Sequence, residues 1–148
     1  MRTVFRFLFG IPIGFILACF AAAFPLVWPF VPFSLASLEQ DPVQIVELAV
    51  LFLAQSAQVG STALLPWALF MVVTEILGWS SLLLHAAAGL IGGFVVTRLA
   101  YGGMEPPMSI QTAILLSGLA FALIYWIVAG HGAGRWRRRT GAPDRVES

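Results

Sequence analysis

Residues 61–100 read STALLPWALFMVVTEILGWSSLLLHAAAGLIGGFVVTRLA, two apolar runs on either side of Gly78-Trp79-Ser80-Ser81. Each run approaches the about 20 apolar residues that cross a hydrocarbon core, and the glycine and serines between them favour a turn. The stretch predicts two transmembrane helices, about 62–77 and 82–100, folded back as a hairpin.

Working outward, two further apolar runs of spanning length occupy about 8–28 and 108–129. The 148-residue chain is 59% hydrophobic and 10% charged, against about 45–50% and about 25% in soluble domains. Inside lipid only helices or closed barrels satisfy the backbone. These runs lack the alternation of a barrel strand. The predicted fold is therefore an all-α membrane protein with four transmembrane helices, one polytopic domain over 1–134, and an arginine-rich tail over 135–148.

All eight basic residues are arginines, and seven lie in the terminal segments: Arg2, Arg6, Arg135, Arg137, Arg138, Arg139 and Arg145. Basic residues beside span ends stay on the cytoplasmic side. Both termini are thus expected in the cytoplasm of a bacterial-type inner membrane, with an even number of spans. The tail follows a span directly, so topology and anionic headgroups account for it before any nucleic acid does.

The first run is longer than the 7–15 residues of a secretory core, which favours a retained span over a cleaved signal. Cys19 is the only cysteine, so no intramolecular disulfide can form. Ile16-Leu17-Ala18-Cys19 has the outline of a lipoprotein processing site. Against that reading, Leu17 stands where a small residue is usual and the apolar run continues past the cysteine.

Between the first two spans, Asp41-Pro42 forms a cap and first turn for a helix over about 42–58. Gln44, Glu47, Gln55 and Gln58 trace one face of it. As a fifth span it would carry the arginine tail outside. The expectation is an additional amphipathic helix, interfacial or half-inserted.

Gly10 with Gly14, and Gly89 with Gly93, have the four-residue spacing that lets membrane helices approach closely. Ionisable residues at membrane depth are functional candidates, and Glu75, His85 and Arg98 are the ones present. Glu75 and His85 lie five residues either side of Ser80, which sets them at matching depth. Arg98 sits at the opposite end, with Glu105 or Glu47 as natural partners. Glu75 and His85 could form a carboxylate–imidazole pair that holds or relays a proton, with Thr74 and His131 nearby. The simpler expectation is that both snorkel to the surface from about one turn inside.

No nucleophile triad, phosphate loop or metal-spaced cluster is present, and no catalytic or metal site is assigned. The favoured function is a non-catalytic membrane subunit or accessory protein, in a larger membrane complex or self-associated. The alternatives are a small oligomeric proton-coupled transporter or channel using Glu75, and a haem-binding anchor ligated by His85 and His131. The histidine spacing does not favour haem, and no cofactor is expected.

Overall fold

The computed structural model describes residues 6–28, 42–102 and 104–133, and these are almost entirely helical. A π-helical turn, Arg6–Gly10, leads into α1, Ile11–Val27. The remaining long helices are α2, Pro42–Leu77, α3, Leu82–Tyr101, and α4, Met108–Val128, followed by a 3₁₀ turn, Gly130–Gly132. All four are long and apolar enough to cross a membrane, with mean hydropathies of 1.6–2.2. This is a multi-pass helical architecture, as composition requires.

The hairpin forms where Gly78 allows it. Gly78 adopts φ 71°, and the Trp79 amide donates to the Thr74 carbonyl at 2.9 Å, the six-to-one bond of a Schellman cap. Gly102, at φ 57°, ends α3 in the same left-handed region.

The hairpin is not the packing centre of the bundle. α4 packs closely against both α1 and α3, and α1 also packs against α2. The helices therefore follow one another across the bundle as α2, α1, α4, α3. The first and last helices are the inner pair, and the two helices joined by the short turn are the outer pair.

Small residues make the inner contacts. Ala18, Ala22, Ala23, Ala122 and Ala129 are buried. At the α3–α4 crossing, a Cβ on Gly89 would overlap the Gly118 carbonyl oxygen, and one on Gly118 would overlap that of Gly89. A Cβ on Gly93 would lie 3.0 Å from the Ile114 carbonyl. A Cβ added to Gly14 would lie 3.2 Å from that of Ala129. Without a hydrophobic drive between helices in lipid, such close approach supplies the dispersion contacts that hold them. Gly10 caps α1 with helical φ and ψ and is half-buried.

The expected amphipathic helix is not a separate element. α2 runs unbroken for 36 residues through 59–61, the gap expected between the helix over about 42–58 and the span over about 62–77. Gly60 alone costs only about 1 kcal/mol in a helix interior. Lacking a side chain, it also admits the Cys19 sulfur, which a Cβ would meet at 3.4 Å. Pro66 is accommodated within the same helix. Ring contacts align α2 antiparallel to α1: Phe15 with Trp67 at 4.4 Å, and Phe20 with Phe52 at 5.9 Å.

Candidate functional site

Polar residues collect at the hairpin end of the bundle. Thr74 and Glu75 close α2, His85 opens α3, and Tyr125 and Trp126 close α4. Thr74, Glu75, His85 and Tyr125 are all buried, and His85, 1% exposed, is the largest fully buried side chain among the described residues. The expectation that Glu75 and His85 snorkel to the surface is therefore corrected. Distance from a span end fixes depth, but the helix face decides burial, and both side chains face neighbouring helices.

His85 is held on three sides. Its Nδ1–H donates to the Ser81 carbonyl at 2.9 Å, one turn earlier. Because a carbonyl can only accept, Nδ1 carries a hydrogen, and in the neutral ring Nε2 is then a bare lone pair. Phe70 meets the imidazole edge-to-face at 5.1 Å, and Tyr125 stacks beside it at 6.3 Å. Nε2 is buried without a hydrogen-bond partner among the described residues. It faces the backbone of Gly130, where an added Cβ would lie 2.9 Å from it.

The structure thus brings Glu75 and His85 to one end of the bundle without a hydrogen bond between them. Thr74 is satisfied locally, its hydroxyl donating to the Met71 carbonyl at 3.0 Å. The other predicted participant, His131, is exposed and lies edge-on to Trp126 at 6.3 Å. As a haem ligand His85 is poorly presented, because the nitrogen that would bind iron is packed against Gly130.

Sequence reasoning missed two members of this end. Trp126 donates from Nε1 to the Ser80 carbonyl at 2.8 Å, pinning α4 to the hairpin turn across 46 residues. Trp67, stacked edge-on with Tyr125 at 5.5 Å, buries its Nε1 without a hydrogen-bond partner among the described residues. An open groove beside the turn is lined by Gly78, Trp79, Ser80, Ser81 and Leu84.

The expected polar stripe of α2 lies along the flank of its packing face. Gln44 and Gln55 are half-buried, while Glu47 and Gln58 are exposed. Arg98, expected to pair with Glu105 or Glu47, instead lies over the Phe94 ring at 5.0 Å. A guanidinium beside lipid gains from a ring face what a distant carboxylate cannot supply. Among the described residues no group of three or more His, Cys, Asp or Glu side chains is placed to hold a metal ion.

No protein-family model, no curated protein and no solved structure matches the chain.

Proposed function

We propose that the chain is a non-catalytic membrane subunit or accessory protein that uses α2 to hold a partner. The observation behind this reading is the one-sided packing of a helix longer than a bilayer requires. Thirty-six residues extend about 54 Å, against a hydrocarbon core of about 30 Å. Even at the upper usual tilt of about 40° the helix projects about 41 Å. Its C-terminal end is tied to α3 by the turn, so the excess lies at the Pro42 end.

Val43, Val46 and Val50 are 61%, 61% and 59% exposed there. Lipid can cover Leu65 and Leu69 further along, but an apolar helix surface standing beyond the hydrocarbon needs protein to cover it. Gln55 and Gln58 on the adjoining flank offer amides for interhelical hydrogen bonds. The arginine distribution and the even number of spans favour an inner-membrane location with both termini cytoplasmic, which sets this overhang on the outer side.

A photo-crosslinking residue at Val46, followed by gentle detergent extraction and mass spectrometry, tests the reading. A protein adduct of fixed mass is expected. A strictly monomeric chain carrying no protein adduct at Val46 would remove the proposal. In a Cys19→Ala background, single cysteines at Thr3 and Ser148 should react with an impermeant maleimide only after the membrane is opened. Labelling of either on intact cells would reverse the assigned topology.

A further inference from the structure

His85 is the most enclosed large side chain among the described residues, and partner binding by α2 gives it no role. A buried histidine within a membrane bundle usually has both ring nitrogens engaged, because an acceptor left bare in the interior has lost its hydration with nothing in exchange. Here one nitrogen is engaged and the other faces glycine backbone. The covering element is the short 3₁₀ turn Gly130–Gly132, with Ala133 directly after it. It closes over the ring with Gly130, Gly132 and Ala133 buried.

We infer that His85 is an internal proton-binding site whose gate is the turn Gly130–Gly132. The ligand is a proton delivered from water at the hairpin end of the bundle. Uptake forms one N–H bond at Nε2 and converts the neutral imidazole into imidazolium, while Nδ1–H keeps its bond to Ser81. Release breaks the same N–H bond and returns the proton to water. The new Nε2–H needs an acceptor, which Gly130 Cα cannot be, so the turn must move for the cation to be solvated. Among the described residues, Tyr125 of α4 stacks beside the ring and His131 lies on the turn itself, while Glu75 of α2 is buried at the same end of the bundle. The π-helical turn Arg6–Gly10 precedes α1, and Gly14 brings α1 against Ala129 beside the gate.

The inference is independent of the partner proposed for α2. Its test uses the full-length His131→Gln chain in lipid nanodiscs, which leaves His85 as the only imidazole, with ¹⁵N in the ring. At pH 8 the spectrum should show one protonated and one bare ring nitrogen. On acidification to pH 5 both should become protonated, and the amide signals of 130–133 should move in the same titration. A ring that keeps its bare nitrogen to pH 5 in a folded bundle overturns the site. A ring that titrates while the 130–133 amides stay still overturns the gate.

Gly130→Ala gives an independent reading, since its Cβ would lie 2.9 Å from Nε2. With the ring displaced, the Nδ1 proton should exchange with solvent at least about tenfold faster. Unchanged exchange in that variant would show that Gly130 does not close the site.

Discussion

Among single residues, the three glycines of the α3 and α4 faces separate close packing from helix propensity. Gly89→Ala or Gly118→Ala drives a methyl group into a backbone carbonyl that cannot swing aside, and overpacking of this kind costs about 1–3 kcal/mol. Gly92 has nothing within 4 Å of its would-be Cβ. Gly92→Ala should therefore be neutral or add up to about 1 kcal/mol from the reduced backbone entropy of the unfolded chain. Reversible unfolding in mixed micelles checks the contrast, and equal effects at Gly89 and Gly92 would deny the close crossing. Gly89 and Gly93 could be read from their spacing. Gly118 could not, because α4 also carries Ala113, Ser117, Ala120 and Ala122, and only the position of α3 decides which small residue is used. His85 was visible as a candidate for the same reason that its burial was not: sequence gives depth, and neighbours give enclosure.

Among elements, α2 and the turn after it make opposite demands on local sequence. Glycine 78 ends a helix because its backbone enters the left-handed region, whereas glycine 60 stays helical and is used for contact with Cys19. One helix was read as two from its polar face and from the even span count, neither of which reports on continuity at Gly60. Continuity is measurable with spin labels at Val46 and Leu65, both exposed and nineteen positions apart, about 28 Å along a straight axis. A narrow distribution near that length is expected, and a short, broad one would restore the separate amphipathic helix. At the other end, Trp126→Phe removes the bond to Ser80 and about 1 kcal/mol of local closure. Amide exchange over 78–81 should rise while the α3–α4 crossing stays protected. No rise would mean that the turn is held by its own cap alone.

For the whole molecule, the number of spans was legible and their neighbours were not. Four helices of similar hydropathy satisfy lipid in any order, so composition set the class while the glycine and alanine contacts set the arrangement. The α2–α3 hairpin organises the sequence. α1 and α4 organise the packing, with a ring cluster of Phe15, Phe121, Trp67 and Tyr125 where α2 joins them.

That arrangement has a consequence for synthesis. α1 leaves the ribosome well before its closest partner, α4, so the interior between them cannot assemble until about residue 128 has been made. Until then three inserted segments wait with their small-residue faces open to lipid or to a chaperone. A chain ended at Glu105 should still insert and still turn at Gly78, yet be cleared by membrane proteases faster than the full-length protein. Pulse-chase labelling would show the difference, and a truncated chain as long-lived as the whole would mean that the bundle matures without its final helix.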